Sequence, residues 1–364
     1  MTEHAPHGRS LVPVHERADR QRVSWLLIGL AIAAAAAMLA IAVAFPRIAA
    51  AGWLIAFVYV SSIAFGSLEL SFIYRLTGGH WGEALRPFFE RAAVCIPLLA
   101  ILFIPVLIAI PSLYPWTAGR GDIKPDVIAY YLNSGSFIGR TVFTFVVFGA
   151  VALLLPRIGG KPGTLLAAAG FVLYALMISL VSIDWILSAE PVFISTSFGA
   201  SIAITQILAA LAFCALAGPI PDERAARDVG GLTLAVVLGL TYIDFMAVLV
   251  LWYGDLPDKI DWFVRRGFAP WKWLAVFAFA FGSVFPILAL LLERVRASRA
   301  ALRAVGLCIL IGLAFYDSYL LAPAYGAWAL GAAALAVLAL GCALILFIEL
   351  GCSSALLPRA RLES

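Results

Sequence analysis

Apolar residues occur along this chain in long, nearly unbroken blocks, with neither the period-two alternation of a half-buried strand nor the polar stripe of a surface helix. A helix that crosses a bilayer needs about 20 such residues. Ten stretches qualify, at roughly 23–45, 51–75, 92–110, 134–155, 164–187, 196–217, 230–252, 271–292, 303–322 and 327–350. The pattern therefore predicts an all-α integral membrane protein of about ten transmembrane helices. Its transmembrane domain covers 23–350, with polar tails at 1–22 and 351–364. The apolar run from Trp25 is too long for a signal-peptide core and is expected to stay as a membrane helix. Pro46, Pro111, Pro115, Pro156, Pro219, Pro221 and Pro257 punctuate the connections, whereas Pro97, Pro105 and Pro286 fall inside spans, where a kink is expected. The five alanines Ala33 to Ala37 suggest close packing of the first helix, because small residues let helices approach in lipid.

Composition strengthens this reading. The chain is 63% hydrophobic and only 13% charged, with a mean hydropathy of +1.02. A soluble domain is nearer half apolar and a quarter charged. The net charge of +4 indicates no nucleic-acid partner, because the basic residues sit in short connections. Seventeen of the 25 Lys and Arg fall on the side of the N-terminal tail, among them Arg294, Arg296, Arg299 and Arg303. The positive-inside rule then places both termini in the cytoplasm. Cys95, Cys214, Cys308, Cys342 and Cys352 form no CxxC pair and read as small hydrophobes. His4, His7, His15 and His80 all lie outside the spans, which excludes an intramembrane histidine-ligated haem, and no metal site is expected.

Against this background the ionisable residues inside spans stand out, since each costs on the order of 3 kcal/mol to insert. Glu69 lies toward the cytoplasmic third of its helix, accompanied by Ser67, Ser71 and Tyr74; Asp244 lies near mid-depth beside Thr241 and Tyr242. Asp184 and Asp317 end two helices near the outer surface, where Arg140 begins another, and Gln206 is an amide near mid-membrane. One reading joins Glu69, Asp244, Asp184 and Asp317 into a proton route. The other makes Glu69 and Asp244 satisfied interhelical hydrogen-bonding groups, and Asp184 and Asp317 interfacial anchors or ion pairs. Tyr74 and His80, the latter in the loop Thr77-Gly78-Gly79-His80-Trp81-Gly82-Glu83, are further proton-path candidates. His80 is alternatively a loop cap or a partner contact. The glycines there form no phosphate-binding pattern. The aromatic residues of the outer loops, including Tyr130, Tyr131, Trp252, Tyr253 and Trp262, suit an interface belt or the docking of an extrinsic partner.

Three loop segments carry a family resemblance. The stretch Tyr74-Arg75-Leu76-Thr77-Gly78-Gly79-His80-Trp81-Gly82, the segment Asp184-Trp185 followed by Ser188, Glu190-Pro191 and Ser195-Thr196, and the loop Trp252-Tyr253-Gly254-Asp255-Leu256-Pro257 followed by Trp262 occur in order. Together they resemble the ActF subunits, the smaller of the two NrfD/polysulfide-reductase-like membrane subunits of bacterial alternative complex III, a quinol:cytochrome c/HiPIP oxidoreductase. The resemblance implies a ten-helix fold with two four-helix bundles plus two peripheral helices. It also implies residence in the bacterial inner membrane. Partners would be a second NrfD-like subunit, an iron–sulfur protein and haem c subunits, besides lipid. The chain itself would bind no cofactor, with quinone present in the complex, and would support the quinol-oxidising module or conduct protons. The matching motif positions are Trp185, Ser188, Pro191, Trp252, Tyr253, Gly254 and Pro257. Aspartate at 255 and the Tyr242-Ile243-Asp244-Phe245 stretch depart from the family pattern. The alternatives are a secondary transporter built of two five-helix repeats, or a membrane-embedded enzyme, against which the lack of a metal cluster or intramembrane histidine speaks.

Overall fold

A computed structural model describes residues 14–119, 123–191, 193, 195–254 and 257–349, with side chains from Arg22 onward except 257–259. Among these residues ten helices are long and apolar enough to cross a membrane. They are α1 (Arg22–Ala44), α2 (Pro46–Thr77), α3 (His80–Ile108), α4 (Ser134–Arg157), α5 (Gly160–Ala189), α6 (Phe198–Ala217), α7 (Glu223–Tyr253), α8 (Trp271–Leu291), α9 (Arg299–Ala324) and α10 (Trp328–Glu349). The protein is thus an all-helical, multi-pass membrane protein. The tail at 351–364, Asp255 and Cys352 lie outside the described residues.

Local chemistry sets the ends. Pro46 opens α2, where a missing N–H is no loss, and Gly78 closes it with φ 70°, its N–H donating to the Tyr74 carbonyl. The Asn133 side chain accepts from Ser136 N at 2.8 Å at the start of α4, and Asp222 accepts from Ala225 N at 2.8 Å before α7. That cap explains why α7 begins at Glu223 rather than near 230: once the first-turn donors are satisfied, the helix carries its polar residues beyond the apolar block. The third span also starts early, at His80 instead of 92, and is jointed rather than continuous. Fresh helical segments begin at Ile96, Ile104 and Ile110. In each, the second residue is a proline (Pro97, Pro105, Pro111), which cannot donate to the carbonyl four residues back.

α2 is the centre of the molecule and is buried over most of its length. It contacts α1, α3, α5, α6, α9 and α10. Helices α2 to α5 pack in one ring, α6 to α9 pack in a second, and α1 and α10 lie together beside α2. The rings meet where glycine removes the side chain: a Cβ on Gly66 of α2 would sit 1.8 Å from the Gln206 carbonyl oxygen of α6. Gly312 of α9 similarly allows contact with the backbone of Gly282 on α8, where a Cβ would come within 2.2 Å. In lipid, such close approach provides much of the attraction between helices. The alanine run of α1 does this at one point only, since Ala34 is buried beside Met38 while Ala33, Ala35 and Ala36 face outward.

Candidate functional site around α6

The two rings share a helix-scale spacing of polar groups on α6. Ser201 and Thr205 are four residues apart and lie on one face; Gln206 follows and points toward the other ring. All three are buried. On the first-ring side, Tyr174 of α5 donates its hydroxyl to Gln206 Oε1 at 2.6 Å. The same hydroxyl lies near the Glu69 carboxyl on α2. Glu69 Oε1, Ser67 Oγ and Thr205 Oγ1 are buried and make no hydrogen bond among the described residues. A cavity of ≈ 10 Å³ runs from Tyr174 and Gln206 toward Thr144 and Trp185, the least room that holds one water.

On the second-ring side, Ser201 Oγ donates to Asp244 Oδ1 of α7 at 2.8 Å. The Tyr316 hydroxyl of α9 lies 2.9 Å from Ser201 Oγ and donates to Asp244 Oδ1 at 3.3 Å. Ser201 and Tyr316 escape notice in the sequence, where a serine and a tyrosine in a span carry no distinguishing pattern. This cluster forms the polar wall of a cavity of ≈ 380 Å³ between α6, α7, α8 and α9, otherwise lined mainly by apolar and aromatic side chains. α8 changes from α to π winding at Ala280–Val284 along this wall, just before Pro286. π turns recur at functional sites. The displaced Phe281 carbonyl accepts from the Cys308 thiol at 3.4 Å.

The remaining acids occupy different settings. Asp184 is held by Arg140 through two hydrogen bonds, of 2.6 and 2.8 Å. Arg140 also donates to the Tyr131 carbonyl at 2.9 Å and lies 4.0 Å over the Tyr131 ring. Burial, then the nearby Asp184 charge, pushes the Tyr131 hydroxyl above its ordinary value. Asp317, next to Tyr316, is buried with neither carboxyl oxygen hydrogen-bonded among the described residues, and it interacts electrostatically with Tyr59 of α2. Asp184 is therefore an ion pair in a packed wall, whereas Asp244 belongs to a hydrogen-bonded cluster on α6 and Glu69 lies beside the Tyr174–Gln206 hydrogen bond.

Tyr74 packs its ring against Trp81 and Phe89 and supports the Gly78–Gly82 turn, and Ser71 donates to its own helix at Ser67 O, 2.8 Å away. His80 Nε2 lies 4.0 Å from Asp222 Oδ2, bridging the loops before α3 and α7. Trp185 Nε1 donates to Thr141 Oγ1 at 3.1 Å, and Ser188 Oγ donates to the Asp184 carbonyl at 2.6 Å. Pro191 is half-buried, Trp252, Tyr253 and Gly254 are exposed, and Pro257 opens the short helix Pro257–Arg266.

That short helix carries a buried cation that loop position alone does not reveal. Arg266 is paired with Glu190, lies 3.6 Å over the Trp262 ring, and donates to the Leu320 carbonyl at 3.2 Å. Trp262 Nε1 donates to the same Glu190 oxygen at 2.9 Å. Burial lowers the Arg266 guanidinium from its ordinary value and Glu190 draws it back up. The triad fastens the helix to α9 at the edge of the ≈ 380 Å³ cavity, which Trp262 lines. Among the described residues no group of three His, Cys, Asp or Glu side chains is placed to hold a metal ion. No protein-family model and no curated protein sequence matches the chain.

Proposed function

We propose that this chain is an integral subunit of a quinol:electron-acceptor oxidoreductase of the alternative complex III type, and that it conducts protons across part of the bilayer. The observation that carries the proton reading is α6: its Gln206 meets the Glu69 cluster through Tyr174, and its Ser201 bonds Asp244. An uncompensated charge in lipid is costly, so an acid with hydroxyl and amide neighbours but no cation is a place where a proton can reside and be passed on. Thr205 fills the interval between the two clusters on the same helix. The loop motifs described above, and the packing of α2–α5 and α6–α9 as two rings with α1 and α10 beside them, support the ActF-like, two-bundle assignment. In this reading the arginine-rich side and both termini are cytoplasmic, the membrane is the bacterial inner membrane, and iron–sulfur and haem c subunits hold the redox centres. Quinol oxidation occurs in the complex.

Purification of the native complex tests the assignment: a preparation without cytochrome c and iron–sulfur partners would sink it. The proton role is tested separately, in proteoliposomes of that complex. Glu69→Gln, Gln206→Leu and Ser201→Ala should each lower proton translocation per electron while leaving assembly intact, and an unchanged ratio in all three removes the route. The two similar rings and the π turn in α8 also favour a permease reading. Solute uptake by vesicles holding this chain alone would support it.

A further inference from the structure

We propose that the rim between α8 and α9 is a binding site for one anionic phospholipid, whose phosphate pairs with Arg294 and Arg303 and whose acyl chains lie along exposed apolar residues of the two helices. The site uses no residue of the Glu69 or Asp244 clusters and does not depend on membership of a quinol-oxidising complex.

Like charge gathers at this rim. From Arg294 to Tyr316 the chain carries four arginines and no acid. α8 ends at Leu291, a short helix covers Glu293–Ala297, and α9 begins at Arg299. The first turn of α9 holds no acid, so Arg299 stands at the positive end of the helix dipole, where a cation is unfavourable. Arg303, four residues on, adds a second cation on the same side. The acids nearby are engaged elsewhere: Glu223 and Glu293 pair with Arg227, and Asp222 caps α7. Arg296 and Arg299 donate to the carbonyls of Leu290 and Pro221. Arg294 and Arg303 are exposed and make no hydrogen bond or ion pair among the described residues. They are the two cations of this segment left to meet an anion from outside the chain.

The surface beside these arginines suits a lipid rather than a free anion. Leu288 and Leu291 of α8, and Leu307 and Ile311 of α9, are exposed. Arg303, Leu307 and Ile311 recur every four residues, so they lie along one side of α9 with the arginine at its membrane-boundary end. That side borders α8, because Leu307 and Ile311 immediately precede Cys308 and Gly312, which touch α8 at Phe281 and Gly282. An arginine stem can cover apolar surface while its guanidinium reaches the headgroup, and the planar fork matches two phosphate oxygens. Basic residues at the end of a span attract anionic headgroups. A zwitterionic head would bring an ammonium into a rim that already holds unpaired arginines, which disfavours it.

The test uses the full chain in a non-ionic detergent with an equimolar mixture of dioleoyl phosphatidylglycerol and dioleoyl phosphatidylcholine, and native mass spectrometry counts the lipid retained. One phosphatidylglycerol per chain is expected, preferred over phosphatidylcholine by about 25-fold, or about fivefold for each arginine. Arg294→Gln and Arg303→Gln should each lower the preference about fivefold, and the double variant should abolish it. Lys161→Gln, which removes an exposed cation at the start of α5 on the same membrane side, should change nothing. An equal loss in Lys161→Gln would mean a diffuse attraction of the whole basic side and would overturn the site. Full displacement of the lipid by sn-glycerol 3-phosphate, which has the phosphate but no chains, would overturn it too. Equal retention of the two lipids by the wild-type chain decides against the proposal without any variant. An inert Glu69→Gln in the proton experiment leaves this result untouched, so the two ideas fail separately.

Discussion

The two rings are built from the same number of helices in the same order, yet their interiors differ. In α2–α5 the centre is filled by rings. Trp185 packs against Phe57, Phe65, Phe103 and Phe145, with centroids 4.7 to 6.4 Å away. The acid near the C-terminal end of α5, Asp184, is locked to Arg140. In α6–α9 the corresponding space is a cavity of ≈ 380 Å³, and Asp317, near the C-terminal end of α9, makes no hydrogen bond among the described residues. A bundle in lipid gains little from apolar burial itself, so it coheres through close packing and satisfied polar groups. The first ring is packed at its centre and pairs Asp184, though Ser67 and one Glu69 oxygen stay without a hydrogen bond among the described residues. The second gives up packing at its centre, and the space it leaves adjoins an acid with an uncommitted oxygen.

This contrast can be broken from either side. The largest effect should come from Arg140→Ala, which leaves Asp184 buried without its cation and should cost about 3–5 kcal/mol. Thermal unfolding in detergent would read it, and Arg140→Ala with Asp184→Asn should recover part of the loss. Trp185→Ala should cost about 3 kcal/mol by opening a void among four phenylalanine rings, while Phe279→Ala, exposed on the cavity mouth, should cost about 0.5 kcal/mol. Equal losses would mean that the second ring is as tightly packed as the first. Asp317→Asn exchanges one buried polar group for another with no ion pair to break and should change stability by about 1 kcal/mol, less than Arg140→Ala. A loss comparable with that of Arg140→Ala would reveal a partner for Asp317. The smallest effect concerns the loop bridge. The Ala225 N–H holds the Asp222 carboxyl below its ordinary value, with His80 adding to the effect. Its contribution is therefore complete above the ordinary aspartate value of 3.8 and lost as pH falls through the lower folded value. Asp222→Asn should flatten that acid step in a melting-temperature profile while leaving the neutral-pH value nearly unchanged.

The ten spans were legible because the bilayer imposes length and apolarity on each helix separately, without reference to its neighbours. Glu69 and Asp244 were legible for a related reason: a charge-bearing residue in an apolar block is conspicuous whatever surrounds it. The joints of α3 are a partial case. The prolines at 97 and 105 forecast kinks, but the early start at His80 depended on a polar amphipathic turn that hydropathy discounts. Arg266 was hidden because a loop arginine is ordinarily solvated, and only its contacts with Glu190 and Trp262 show it to be buried.

The pattern of residues alone determined that this is a ten-helix membrane protein with a few costly acids inside, because insertion energy is counted helix by helix. Only the tertiary structure decided which acid meets which partner. Asp184 lies with Arg140 on α4, Glu69 with Tyr174 on α5, and Asp244 with Ser201 on α6 and Tyr316 on α9. Every partner comes from another helix, consecutive for Arg140 and Ser201 and more distant for Tyr174 and Tyr316, and their meeting depends on close approaches such as Gly66 against Gln206, where the absence of one side chain sets the spacing of two helices.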